Sequence, residues 1–159
     1  MRKIEDIALG PGIFRGVPEE LISEKEGELG VKFPSSYKIF LLTMGEYATF
    51  LAGESCFFED IEDVQTGFKN TFSKYVKQYQ LTDEDFAFSS SQGTSYTFFK
   101  LNEGEDPPVY FYIEGYDLEL PVRLTNSLSN YLIRRSNRDS ELYSSFYEAI
   151  GDDRSKPGN

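Results

Sequence analysis

The chain has 159 residues, 39% hydrophobic and 16% aromatic with no tryptophan, which is material for one domain built around a core of Phe and Tyr. Its 27 acidic residues against 16 basic ones give a net charge of −11, a surface that repels nucleic acid and anionic membranes and attracts basic partners. There is no histidine and a single cysteine, Cys56, which excludes Ser-His-Asp and Cys-His nucleophilic sites, His-ligated and Cys-cluster metal sites, and an internal disulfide.

No apolar run approaches the ~18 residues needed to span a membrane. The start, MRKIEDIALG, has no long apolar stretch of the signal-peptide kind. With the lone cysteine, these points lead to the expectation of a cytoplasmic protein. A single domain is expected over 1–150, and a flexible tail over 151–159, where GDDRSKPGN lacks apolar residues.

In chain order, the first helix is predicted from Pro18, a favoured first-turn residue, with Glu19 and Glu20 complementing the helix dipole. It runs to Leu29 and stops at Gly30, a good left-handed cap. A second helix starts at Pro34, with Tyr37, Phe40, Leu41 and Met44 in one buried stripe, and ends at Gly45. Phe33-Pro34 therefore makes a corner: the proline forbids continuation of the first helix and pre-sets the first turn of the second. A longer helix is predicted over Ile61 to Tyr79, with Gly67 as a weak spot. The pattern then changes to short segments rich in aromatic and β-branched residues, 85–89, 94–101, 107–113 and 118–124, separated by SSSQG, NEGED and EGYD. These read as an antiparallel meander. Ser127 is placed to cap a short helix through Leu132 and Ile133, and Leu142, Phe146, Tyr147 and Ile150 mark a last one. Helices, then strands, then helices is an α+β order.

Motifs that would carry catalysis are sparse. Neither GxxxxGK[ST] nor GxGxxG occurs. Ser35-Ser36-Tyr37-Lys38 matches S-x-x-K, but the companion motifs S-D-N and K-T-G are missing, and Ser35 and Ser36 are ordinary first-turn residues after Pro34. Carboxylates are plentiful, in runs at Glu59, Asp60, Glu62 and Asp63, at Asp83, Glu84 and Asp85, and at Glu103, Glu105 and Asp106. Each run lies at a helix start or in a turn, where acids occur without any special role. None has calcium-loop spacing, so no metal or cofactor is expected. Tyr96, Phe98, Phe99, Tyr110, Phe111 and Tyr112 lie on adjacent strands. Such rings can stack RNA bases, a use the acidic charge opposes. One sheet face covers the helices, and the rings of the other face form an exposed patch suited to protein contact.

The pattern Ile22…Glu26…Leu29-Gly30…Phe33-Pro34…Tyr37…Phe40-Leu41…Gly45 resembles the N-terminal signature of the SUKH superfamily, the Smi/Knr-like proteins, which read I…E..LG..LP..Y..FL…G there. Phe86-Ala87-Phe88, the strand after Gly93, Pro108-Val109-Tyr110 and the helix near Ser127 are similar to later parts of that family. Phe33 stands where the family usually has Leu, and the tryptophans of some members are missing. The resemblance implies an α+β domain with a mostly antiparallel sheet of four to six strands, packed by an N-terminal helix pair, a central helix and C-terminal helices. It also implies a role without a catalytic site. Bacterial members are immunity proteins that neutralise a polymorphic toxin, often a nuclease, and fungal relatives regulate cell-wall synthesis by binding other proteins.

Two function classes follow. The first is a non-catalytic binding module, an immunity protein whose acidic and aromatic surface covers a basic toxin domain, with a regulatory adaptor as its close variant. The second is a carboxylate-dependent hydrolase, against which the missing histidine and missing motif both count. The partner surface is expected at Phe57, Phe58, Glu59, Asp60, Glu62 and Asp63, where four acids fall within five residues directly after two Phe. Side chains alternate in an extended segment, so one of those two rings is expected to be exposed. Helix-dipole complementation is the competing account of the acids. Glu103, Glu105 and Asp106 in a strand turn form the second candidate surface.

Overall fold

The computed structural model describes residues 2–116 and 118–152. Of the expected tail, 153–159 lie outside the described residues. The elements run α1 (Ile4–Ile7), β1 (Phe14–Arg15), α2 (Glu19–Leu29), α3 (Ser35–Met44), β2 (Tyr47–Ala48), two 3-10 turns (Thr49–Leu51 and Phe58–Asp60), α4 (Ile61–Tyr75), β3 (Asp85–Ser91), β4 (Ser95–Lys100), β5 (Val109–Ile113), β6 (Val122–Thr125), α5 (Leu128–Ser136) and α6 (Ser144–Ala149). Strands β3 to β6 form one antiparallel meander in chain order, and β1 pairs with β2 in a separate antiparallel ribbon. The architecture is α+β, as expected.

The corner between α2 and α3 has a specific fastening. Gly30 takes the left-handed conformation (φ 67°), and the Val31 amide donates back to the Glu26 carbonyl at 3.1 Å, closing the last turn. The Glu26 carboxylate then accepts the Phe33 amide at 2.7 Å and lies 3.5 Å from Lys38 on the next helix. One glutamate thus sets the angle between the two helices. Phe33 is buried, edge-on to Tyr37 at 5.0 Å and near Phe86 at 5.4 Å.

Pro34 is the N-cap of α3 but has no side-chain oxygen to satisfy the free amides of the first turn. The turn between β4 and β5 satisfies them from outside. Glu105 accepts the Ser35 amide with its carboxylate at 2.9 Å, takes the Ser35 hydroxyl as well, and accepts the Ser36 amide with its backbone carbonyl at 2.9 Å. The neighbouring Asp106 accepts the Ser129 amide at 2.9 Å, in the first turn of α5. Ser127 caps that same helix as expected, accepting the Asn130 amide at 3.0 Å. One loop of the meander therefore ties two helix starts to the sheet.

The sheet is buried on both faces. One face, with Phe86, Phe88, Phe99, Val109 and Phe111, packs against α1, α3, α5 and α6. The other, with Ala87, Tyr96, Phe98 and Tyr112, is covered by Val64, Phe68 and Phe72 of α4. Each of those three α4 side chains gains roughly 1.5–3 kcal/mol of transfer free energy. This corrects the expectation of an exposed aromatic face. Tyr96, Phe98, Phe99, Phe111 and Tyr112 are all buried, and Tyr110 is half-buried. The cause is α4, whose apolar stripe needs a surface and finds it on the second face. Gly67, the expected weak spot, lies inside the helix where the Tyr96 hydroxyl approaches, so that a Cβ there would sit 2.5 Å from that oxygen.

Two boundaries also differ from expectation. Helix α4 ends at Tyr75, not Tyr79, and Val76 is already extended (φ −110°, ψ 94°). The Tyr79 hydroxyl donates to Asp85 at 2.8 Å, which draws this segment to the start of β3. The last strand begins at Val122 and not at Leu118, since Pro121 has no amide for the ladder. A partly buried polar group knits the remaining pieces together. The Arg135 guanidinium donates to Glu54 at 2.6 Å and to the hydroxyls of Tyr131 and Tyr143 at 3.2 and 3.3 Å, while Ser89 donates to the other Glu54 oxygen at 2.7 Å. Among the described residues no helix is long and apolar enough to cross a membrane.

Candidate functional site

The ribbon β1–β2 builds one wall of a groove. Its register places Arg15 opposite Tyr47 and Phe14 opposite Ala48. Immediately after β1, the chain passes so close to α3 that a Cβ on Gly16 would lie 1.7 Å from the Leu42 carbonyl oxygen. The Val17 amide donates to the Leu41 carbonyl at 2.9 Å, which fixes this passage. Pro18 then turns the chain into α2, and Leu21 on its first turn remains 45% exposed.

The opposite wall is the 3-10 turn before α4. The Phe58 amide donates to the Gly45 carbonyl at 2.7 Å, pinning the turn to the end of α3. Asp60 accepts the Phe57 amide at 3.1 Å and so closes the turn from within. Phe57 points inward and stacks on Tyr47 at 5.9 Å with 16° between the rings. Phe58, expected as the exposed ring of the pair, is instead half-buried against the same core and lines the same groove as Phe57. The alternation expected of an extended segment does not apply, because only Phe57 is extended (φ −89°, ψ 169°) and Phe58 already belongs to the 3-10 turn.

Between these walls lies a cavity of about 610 Å3 lined by Arg15, Gly16, Val17, Pro18, Leu21, Glu46, Tyr47, Phe57, Phe58 and Glu59. Two cations of the chain already lie over its rings. The Arg15 guanidinium is 5.2 Å from the Tyr47 centroid, and the Lys25 ammonium is 5.7 Å from that of Phe58, both within the reach of a cation–ring attraction. Lys25 is also held by Glu62 at 2.9 Å and Glu28 at 3.0 Å. The hydrogen bond to Glu62, then that to Glu28, raises the Lys25 pKa, and the same bond holds the Glu62 carboxyl below its usual range.

The expected partner-surface residues therefore divide. Phe57, Phe58 and Glu59 meet in one groove. Asp60 is spent on closing the turn. Glu62 and Asp63 stand exposed on the first turn of α4, with Glu62 tied to Lys25. Glu105 and Asp106 act as helix caps far along the chain, and bonds from the Ser35 hydroxyl and amide hold Glu105 below the usual carboxylate range. Glu103 accepts the Tyr110 hydroxyl at 2.9 Å. None of the hydrogen bonds or ion pairs among the described residues joins the Glu103–Asp106 turn to the Phe57–Asp63 stretch. Sequence reasoning missed Arg15 and Tyr47, because two-residue strands carry no readable alternation, and Leu21 and Glu46, which are ordinary residues of a helix and a bend. A larger cleft of about 710 Å3, lined in part by Tyr75, Lys77, Tyr112, Glu114, Tyr116 and Glu119, mixes both charge signs and contains none of the expected residues.

The groove is open, apolar at its floor and fringed by carboxylates. Such a site suits capture of a cationic, partly apolar protein segment. Among the described residues no group of three or more Cys, Asp or Glu is placed to hold a metal ion.

Comparison with known proteins agrees with this architecture. No curated protein matches the chain. Residues 19–132, well over half of the chain and including α2, the corner, α3, the meander and the start of α5, match the family SUKH_6, whose description is SMI1-KNR4 cell-wall. The chain is a member of this SMI1-KNR4 family and carries a SUKH-superfamily domain.

Proposed function

We propose that the protein is a non-catalytic binding module, an immunity protein that neutralises a cognate bacterial toxin in the cytoplasm by docking a basic surface of that toxin into the Tyr47–Phe57–Phe58 groove. The observation that carries this reading is the groove itself, where aromatic rings accept cations beside Glu46, Glu59 and the acidic first turn of α4. The net charge of −11 adds long-range steering of a basic partner. Affinity comes from a few desolvated anchors, with rings and apolar side chains of the groove in that role.

The lack of histidine supports a role by occlusion and not by turnover. The acids of the expected surfaces that have hydrogen-bonded duties serve as caps, pair with Lys25 or accept the Tyr110 hydroxyl. A regulator of cell-wall synthesis that acts by binding other proteins is the second reading, favoured by the words "cell-wall" in the family's description. The test is to express this chain with the toxin domain encoded beside its gene. The immunity reading expects a one-to-one complex that abolishes toxin activity in purified form. Full toxin activity in the presence of excess chain would defeat it and leave the regulatory reading.

A further inference from the structure

We infer that the groove is a receptor for a single arginine side chain of the partner, and that Arg15 occupies the receptor when no partner is bound. This inference rests on the reading of the groove as the docking site.

The two internal cations are not equivalent. Lys25 is locked: its side chain is only 16% exposed and two carboxylates hold it at 2.9 and 3.0 Å. Arg15 is loose: its side chain is 57% exposed, and its one ion pair, to Glu46, is 3.8 Å long with Glu46 62% exposed. An exposed pair at that length contributes little and exchanges readily. The Arg15 guanidinium nevertheless sits 5.2 Å from the Tyr47 ring centroid, and Tyr47 is backed by the parallel ring of Phe57. Ring face, carboxylate and apolar floor are the components of a guanidinium site, since a planar guanidinium stacks on a ring while its edge donates to a carboxylate.

A partner arginine finds more there than Arg15 does. Arg15 comes from the strand beside the ring and lies across it from one side. A side chain entering from solvent would also cover Val17, Pro18 and Leu21 with its methylene stem. Glu59, on the opposite wall, is free of any ion pair among the described residues and stands exposed as a second acceptor. Charge complementarity is strong, because the chain carries −11 overall and the groove's two carboxylates, Glu46 and Glu59, outnumber its one loose cation. Lys25 stays in place and keeps Phe58 and α4 aligned.

The experiment uses the full chain and a short peptide with one arginine between neutral residues. The control peptide carries citrulline, which has the same shape without the charge. Binding is followed by backbone amide shifts in nuclear magnetic resonance titrations. The arginine peptide is expected to shift residues 15–18, 46–47 and 57–59, and the citrulline peptide is not. Arg15→Ala empties the receptor and is expected to tighten arginine-peptide binding by roughly two- to fivefold, the factor that an exposed cation–ring contact represents. Arg123→Ala makes the same change in net charge at an exposed strand position outside the groove, and is expected to tighten binding less. Glu46→Gln, an exposed and conservative change, is expected to weaken it. Equal binding of the two peptides, shifts scattered over the surface acids, or Arg15→Ala no stronger than Arg123→Ala would each overturn the inference. If any of these occurs while Leu21→Lys still disrupts the cognate complex, the groove reading survives and only the arginine receptor is lost.

Discussion

Replacing Tyr37 by Phe should stabilise this protein. Tyr37 is fully buried in α3, and its hydroxyl has no hydrogen-bond partner among the described residues. Its ring meets Phe33 at 5.0 Å, Phe99 at 5.3 Å, Phe86 at 5.4 Å and Phe40 at 6.0 Å. All four contacts survive in Tyr37→Phe. What disappears is a desolvated hydroxyl, which costs about 1–3 kcal/mol when unpaired. The void left by one oxygen forfeits a few dispersion contacts of about 0.1–0.2 kcal/mol each. The balance is a gain of about 1 kcal/mol, or roughly 2–4 °C in Tm for a chain of this size. Urea unfolding at neutral pH, followed by far-ultraviolet circular dichroism, measures it as a raised midpoint with an unchanged slope.

The pH dependence sharpens the same test. Burial drives the Tyr37 pKa far above its ordinary value near 10. The folded phenol therefore keeps its proton where the unfolded chain gives it up. Its contribution to stability is intact below about pH 10 and is lost progressively above that, so the advantage of Tyr37→Phe should widen in alkali. Tyr131 and Tyr79, raised chiefly by burial as well, keep part of the alkaline sensitivity in the variant. A Tyr37→Phe protein that is less stable than wild type by 1 kcal/mol or more would refute the reasoning, since the hydroxyl would then have a partner worth keeping.

Phe40→Ala should cost ~3–5 kcal/mol, because Phe40 is buried in the same stripe of α3, and the urea midpoint reads this directly. Gly16→Ala should be severely destabilising or unfolded, since the new Cβ would meet the Leu42 carbonyl at 1.7 Å; circular dichroism of the purified variant decides it. Asp106→Ala should cost about 0.5–2 kcal/mol as the loss of a helix cap, given its bond to the Ser129 amide, again read from the unfolding midpoint.

Local punctuation made the helices legible. Gly30, Phe33-Pro34, Gly45 and Ser127 each act through a backbone rule that works without tertiary context, and the first and last boundaries of α2 and α3 agree with it. The meander was legible for the same reason, from aromatic runs between turn residues. The burial of its second face was less so. A strand such as TSYTFFKL carries rings on both faces, and that continuity, as opposed to clean alternation, was the signal that both faces are covered. The end of α4 escaped because Val76 and Tyr79 keep helical spacing while packing for other reasons. Long-range capping was invisible. Nothing in the spacing of Glu105 and Asp106 announces that they satisfy amides of Ser35 and Ser129. The groove was half legible: Phe57 and Phe58 drew attention as adjacent rings among acids, but Arg15, Leu21 and Tyr47 arrive from elements too short or too ordinary to stand out.

The partner is proposed to dock in the groove between the β1–β2 ribbon and the 3-10 turn before α4. The most direct measurement is the affinity of the cognate complex with Leu21→Lys, a change at an exposed rim position that leaves the core untouched. It puts a cation where a basic, partly apolar segment is proposed to lie, and should weaken the complex by about tenfold or more while the unfolding midpoint stays at the wild-type value. An unchanged dissociation constant, with the fold intact, would contradict the claim and place the partner on another face.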